Sequence, residues 1–162
     1  MLSFQPPAVG EEEIEAVART IRSGWLTTGE NAAELERRFA EYAGAKHALA
    51  VSSGTAAMHL ALVALGIGAG DEVITTPITW PATANVIVHT GATPVFVDVR
   101  EFDLNIDPEA VAAAVTDRTK AIIVTHLFGN PCEMTPILEL ARSRGLPVIE
   151  DCAQAYLASE NG

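Results

Sequence analysis

Two carboxylates close the last apolar run of the chain: Leu146 to Ile149 lead directly into Glu150 and Asp151. A carboxylate delivered to the end of a buried strand needs a partner, because an unpaired buried charge is costly. In parallel α/β sheets ligands bind beyond the carboxyl ends of the strands, so the other run ends bear on the same question. "AVSSGTAAMHLAL" reads as a strand ending near Val51, a tight turn, and a helix starting near Thr55. A helix start offers unpaired N–H groups and a partial positive charge that suit a phosphate. Gly54 lets the backbone approach an anion, and the Ser53 and Thr55 hydroxyls add donors; a plain Ser/Thr N-cap accounts for the same residues. "TTPITWPATAN" places Trp80 in a strand-to-helix loop, either as core or as the flat wall of a pocket for a planar ligand. Asp98 follows "PVFV", with Asp103 and Asn105 in the next loop, and "THLFGNP" puts His126 at the mouth of the sheet, a position where histidines are commonly structural. Gln154, three residues after Asp151, faces back to the same site if a turn follows. A phosphate cradle, an aromatic plate and a carboxylate are what a pyridoxal phosphate ring needs: the phosphate on the helix start, the ring on Trp80, and Asp151 keeping the ring nitrogen protonated.

The elements that must hold these residues are legible as alternation. The runs "HALAVS", "EVITTP", "TPVFVDV", "KAIIVTH" and "LPVIED" alternate with the helical patterns "TAAMHLALVALG", "PATANVIVHTG", "DPEAVAAAVT" and "EMTPILELARSRG". That order predicts βαβ units on a mostly parallel sheet, an α/β fold with helices on both faces. Continuous apolar runs say the same, since both faces of such strands are covered. Gly66, Gly91 and Gly145 fall where helices close in the left-handed conformation; Pro81 and Pro108 fall near first turns. Ahead of this lie an amphipathic helix, "VGEEEIEAVARTIRSG", acidic at its start and basic at its end, the loop "WLTTGEN", and a second helix, "AAELERRFAEYAGA". "GIGAGD" imitates a dinucleotide fingerprint but follows a helix and precedes a strand, the reverse of what that motif requires, so it reads as a helix stop.

The 162 residues are 49% hydrophobic and 19% charged, a globular composition long enough for one core. A net charge of -11 with no basic cluster argues against nucleic-acid or anionic-membrane partners. No apolar run approaches a span of ~20 residues, and "MLSFQPPAVGEEE" lacks a signal-peptide pattern. Cys132 and Cys152 show neither zinc nor disulfide spacing, so no metal is expected and a reducing cytoplasm is.

The ordered motifs "SGWLTTG", "SSGTAAMHLAL", "GDEVITTPITWPATANVI", "GATPVFVDV", "THLFGNPCEM" and "VIEDCAQA" resemble the N-terminal half of the DegT/StrS family of sugar aminotransferases, which have the aspartate-aminotransferase (type I) fold. The resemblance implies that Gly54 and Thr55, beside Ser53, hold the cofactor phosphate, that Trp80 stacks on the ring, that Asp151 contacts the ring nitrogen and that Gln154 lies near the ring hydroxyl. It implies that Trp25, Thr27 and Thr28 line the substrate site, which the family builds at a homodimer interface. The implied reaction moves an amino group, with glutamate as donor, onto a keto-sugar carried on a nucleotide. Glu30 stands where the family continues Gly-Pro, Cys152 where it has Ala, and "YLASENG" where it has a His-Gly-like pair.

On this resemblance residues 1–30 are an N-terminal helix and substrate-lining loop. Residues 31–162 are an incomplete pyridoxal-phosphate-binding large domain, without later strands or a small domain. The lysine that holds the cofactor as a Schiff base is expected beyond Gly162, because Lys46 and Lys120 precede or begin strands. No catalytic residue is then expected within these residues, and the fragment alone is expected to be inactive. Alternatives stand beside this reading: a non-catalytic protein, either a degenerate remnant or a docking partner of a full-length homologue, and a pyridoxal-phosphate-dependent sugar dehydratase relative.

Overall fold

The computed structural model describes residues 7–160. Expectations resting on residues 1–6, and on the last two residues of "YLASENG", lie outside them. The chain forms two compact units, Met1–Ala50 and Val51–Gly162.

In the first unit α1 spans Glu11–Ser23 and α2 spans Glu30–Ala43. The acidic start of α1 has a local cause: the Glu13 carboxylate reaches back to accept the Gly10 N–H at 2.6 Å, and acid in a first turn is attracted to the positive end of the helix dipole. Gly24 ends α1 at φ 73°, a conformation in which other residues are strained. Both helices are amphipathic, yet neither contains a buried residue; Ile14, Val17 and Ile21 form an exposed apolar stripe on α1.

The second unit is an α/β sandwich. Strands β1 (Glu72–Thr75), β2 (Thr93–Phe96), β3 (Thr119–Thr125) and β4 (Val148–Asp151) make a parallel sheet in the order β2-β1-β3-β4. Helices α3 (Gly54–Ala64) and α4 (Ala82–His89) cover one face, α5 (Pro108–Ala114) and α6 (Met134–Arg144) the other. Strand alternation divides the core accordingly. Val73, Ala121 and Ile123 pack with Met58, Leu62, Val86 and Ile87, whereas Ile74, Ile122 and Val124 pack with Val111, Ile137 and Ala141. From β1 the chain crosses one way through α4 to β2, then back over β1 through α5 to β3. Right-handed crossovers in opposite directions put α4 and α5 on opposite faces and open a crevice where the order reverses.

One expected strand is absent. "HALAVS", residues 47–52, carries no ladder bonds among the described residues, and Leu49 lies exposed. Its composition suits a strand, but a strand exists only against a neighbour, and none of the four accepts it. The other four runs are strands, with ends shifted by one to three residues from the expected runs. "GIGAGD" is a helix stop and turn, with Gly66 and Gly70 at positive φ and the Asp71 carboxylate accepting the Gly68 N–H.

Long-range bonds fix the loops at the carboxyl edge. Asn105, fully buried, donates through Nδ2 to the Asn130 and Pro131 carbonyls and accepts the Leu127 N–H at 3.0 Å. It thereby ties the loop after β2 to the loop after β3. Asn105→Ala should lower stability by about 2–3 kcal/mol, since it strands a buried amide and opens a cavity. Urea unfolding with an unchanged m-value measures this, and a loss below ~0.5 kcal/mol would show the tie to be incidental.

Candidate functional site

Glu150 and Asp151, adjacent on β4, face opposite sides of the sheet. Val148 packs with the α5/α6 core and Ile149 with the α3/α4 core, so Glu150 follows the first and Asp151 the second. Glu150 has found its partner inside the chain: its Oε2 lies 3.0 Å from His126 Nε2. His126, almost wholly buried, also accepts the Cys132 backbone N–H at Nδ1, 2.9 Å away. Contacts with Cys132 first and with Glu150 second push the imidazole up to about 9. The Cys132 amide opposes that push, because a doubly protonated ring would set donor against donor and strand a buried N–H. That geometry holds His126 as the Nε2–H tautomer, donating to Glu150. The His126 hydrogen bond in turn holds the Glu150 carboxyl below its ordinary range. This is the structural role that a histidine at the sheet mouth commonly has.

His126, Glu150 and Cys152 offer ligand atoms within 4.8 Å of one another. Their chemistry is that of hydrogen bonding rather than of metal binding. The Nε2 lone pair is unavailable in this tautomer, and burial first, then Glu150 and Asp151, pushes the Cys152 thiol up and keeps it protonated. Cys132 and Cys152 are both free thiols.

Asp151 is differently placed. Its Oδ1 accepts the Ala153 N–H at 3.1 Å, and no Lys, Arg or His among the described residues pairs with its carboxylate. Its register partner on β3 is Thr125, on the same face. The turn expected after Asp151 forms, with the Ala155 N–H donating to the Cys152 carbonyl. It brings Gln154 back to the loop after β3, where Gln154 Oε1 accepts the Phe128 N–H at 2.8 Å. Phe128 and Gly129 both have positive φ there, and a Cβ on Gly129 would press on the Gln154 carbonyl at 3.2 Å. Gln154 therefore pins a strained loop through its oxygen, and its amide nitrogen keeps its donors.

On the Asp151 face, α3 begins at the same edge of the sheet, since its far end turns through Gly66–Gly70 into the start of β1. Ser53 is its N-cap, accepting the Ala56 N–H at 3.1 Å, so the plain-cap reading holds for that oxygen. The Gly54 and Thr55 amides meet no acceptor among the described residues. A Cβ built on Gly54 meets nothing within 4 Å, and its φ is not left-handed. Neither its backbone conformation nor packing among the described residues of the second unit asks for glycine there. The feature left is open space above two unpaired amides, which is what an approaching anion uses.

Trp80 projects from the loop between β1 and α4 with 75% of its surface exposed. It is not core. Ser53, Gly54, Thr55, Trp80, Asp151 and Gln154 all belong to the second unit and sit on segments that leave one edge of its sheet. Trp25, Thr27 and Thr28 belong to the first unit. Trp25 and Thr28 line a cleft of about 520 Å³ there with Arg19, Ser23 and Asn31; Thr27 is not among its lining residues. Thr28 holds φ 44°, a strained value for threonine. Sequence reasoning left three relations unseen: the His126–Glu150–Cys132 arrangement, the Asn105 hub, and a line of bonded hydroxyls on Thr79, Thr83 and Thr125. The residue types were visible, but each bond joins segments that only the fold brings together.

Comparison with known proteins agrees with this architecture. The chain is 54% identical over 154 residues to the spore coat polysaccharide biosynthesis protein SpsC of Bacillus subtilis (strain 168), a match over 95% of this chain and 40% of that protein. It superimposes on an aminotransferase from Psychrobacter cryohalolentis with a TM-score of 0.89 at 48% identity, over 94% of this chain and 40% of that one. It superimposes on NtdA of Bacillus subtilis, a structure with bound cofactor PMP, with a TM-score of 0.82 at 33% identity, over 90% of this chain and 34% of that one. The chain spans about two fifths of the length of the curated relative it matches. Its residues 7–162 fit the family model for these proteins, and the chain belongs to the DegT/DnrJ/EryC1/StrS aminotransferase family.

Proposed function

We propose that this chain forms the coenzyme-holding part of a pyridoxal-phosphate-dependent aminotransferase that converts a nucleotide-linked keto-sugar to an amino-sugar, with glutamate as amino donor. The observation that carries the proposal is the Gly54 opening: two unpaired amides at the start of an 11-residue helix, under space that nothing in the second unit fills. The residues present fit the coenzyme. The Gly54 and Thr55 amides, with the Ser53 and Thr55 hydroxyls, would hold its phosphate. Trp80 offers an aromatic face whose exposure is otherwise unexplained, and stacking would cover it. Asp151 would accept a hydrogen bond from the protonated ring nitrogen, and its negative charge keeps that proton in place. Gln154 would turn its amide N–H groups to the ring hydroxyl while its oxygen stays on Phe128. When bound, pyridoxal phosphate supplies a ring that draws electrons from the carbon bearing the amino group.

Neither lysine of the chain is proposed as the one that links the coenzyme. Lys120 opens β3, at the edge of the sheet opposite to Asp151, and Lys46 lies in the first unit. Trp25, Thr27 and Thr28 are proposed to line the sugar site. The exposed stripe of Ile14, Val17 and Ile21 supports pairing with a second copy, as in the family's homodimers. We also propose that residues 31–162 are part of the large domain of the type I fold and that the protein works in the cytoplasm. No helix among the described residues is long and apolar enough to cross a membrane.

Gly54→Ala separates binding from folding. An added Cβ at Gly54 meets nothing within 4 Å and its φ is not left-handed, so alanine fits there and the melting temperature should hold or rise. The methyl group should nevertheless weaken pyridoxal phosphate binding about tenfold or more, as read by titration calorimetry. Equal affinity in both proteins would remove the phosphate cradle from the proposal. Asp151→Asn should leave the phosphate in place and remove the charge that holds the ring proton, moving the absorbance of bound coenzyme toward that of the neutral pyridine. An unchanged spectrum would detach Asp151 from the ring nitrogen.

A further inference from the structure

The loop that carries Trp80 and the strand row that carries Asp151 are joined by a line of hydroxyls. Thr79 Oγ1 lies 3.1 Å from Thr83 Oγ1 and 2.9 Å from Thr125 Oγ1. Thr79 immediately precedes Trp80, and Thr125 is the register partner of Asp151 on the same face. We infer that Thr79, Thr83 and Thr125 are positioning residues: their hydroxyl chain fixes Trp80 beside Asp151, so that plate and acid meet one planar ring together. The inference rests on the coenzyme reading above.

Three observations support it. The bond between Thr79 and Thr125 spans the crevice where the strand order reverses, since Thr79 follows β1 and Thr125 ends β3. The chain leaves β1 toward α4 on one face and leaves β3 toward α6 on the other, so the two loops diverge there unless tied. Next, Trp80 is largely exposed, so little burial of its side chain holds it in place and the position of its backbone matters the more. That backbone is gripped from both sides, because Thr79 is anchored by its hydroxyl and the Trp80 carbonyl accepts the Thr83 N–H at 3.0 Å. Finally, Thr83 and Thr125 are buried, so neither hydroxyl has water as a substitute partner. Threonine is also stiffer at its first side-chain torsion than serine, so a fixed backbone gives a fixed oxygen. Either direction of donation along the three hydroxyls satisfies both contacts.

The probes that test this are 4′-deoxypyridoxine 5′-phosphate, which has ring and phosphate but no aldehyde and so needs no lysine, and inorganic phosphate, which reads the α3 cradle alone. Thr79→Val keeps the shape of the side chain and removes both bonds. Its expected effect is a loss of about tenfold in affinity for the ring analogue with inorganic phosphate affinity held within about twofold. The near-ultraviolet band of the bound analogue should shift toward the neutral pyridine as the ring tilts off Asp151. Thr79→Ser, which restores a hydroxyl, should recover most of the affinity and the band. Should Thr79→Val fail to fold, Thr83→Val, which breaks one of the two contacts, is measured with the same two probes and should show a smaller loss of the same kind. Analogue affinity and spectrum unchanged in the valine variant would overturn the inference, as would equal losses of analogue and phosphate, which mark general damage. An unaltered protein that binds phosphate but not the analogue would overturn the coenzyme reading itself, and the inference with it.

Discussion

The alternation of β4 is the constraint from which the rest of the edge follows. Two adjacent carboxylates on a strand cannot share a partner, because successive side chains leave opposite faces. Glu150 meets His126 on the α5/α6 side and is settled within the chain. Asp151, one residue on, is sent to the α3/α4 side, where one of its oxygens takes a neighbouring amide and no cation among the described residues pairs with it. A slip of one residue in the pairing of β4 with β3 would exchange the two and present the wrong acid to the helix start. The register therefore decides which acid stands on which face. It is held by the apolar residues beneath: Val148 belongs to one core and Ile149 to the other, and neither can trade places without exposing its side chain.

Topology supplies what register cannot. With the order β2-β1-β3-β4, the chain leaves β1 in one direction and later resumes on its other side at β3. The loops after those strands part toward opposite faces, and the crevice between them is open by construction. Helix α3 meets the same edge because its own far end must turn into β1. A helix start, an aromatic loop and an acid thus share one edge of the sheet although Gly54, Trp80 and Asp151 are far apart in sequence. The convergence follows from the handedness of the crossovers, not from any local attraction among the three.

What could be read in advance divides along the same line. The runs 72–77, 93–99, 120–126 and 146–151 announced strands because both-face burial leaves a continuous apolar signature within a few residues. The helix stops at Gly66, Gly91 and Gly145 were equally local, each one backbone conformation with one favoured residue type. The failure at 47–52 is instructive for the opposite reason. His47 to Val51 has the composition of a strand, but pairing is a relation to another segment, and composition does not say whether the partner is there. The site shows the same division. Ser53, Gly54, Thr55, Trp80 and Asp151 were singled out by type and by their place at run ends. The bonds of Asn105, the Nδ1 bond of His126 and the three bonded threonine hydroxyls were not legible, since a threonine near a strand end looks alike whether its hydroxyl meets water or another threonine 46 positions away.

Polar residues at this edge fall into two groups, and the difference bears on function. Asn105, His126, Glu150, Thr79, Thr83 and Thr125 have partners inside the chain, and they join segments that would otherwise separate. The Gly54 and Thr55 amides, Trp80 and the outer oxygen of Asp151 show no such partners among the described residues. Taken singly, each of these is unremarkable, since an exposed Trp or two uncapped amides occur on many surfaces. Their surroundings give them weight, because the neighbouring residues are tied down at a cost in conformational freedom that a loose edge would not require. A fold whose buried hydrogen bonds hold unsatisfied groups in fixed places is preorganised for something outside itself, and on the coenzyme reading proposed above those groups would take an anion at the helix start, a flat ring on the indole and a positive nitrogen against the acid.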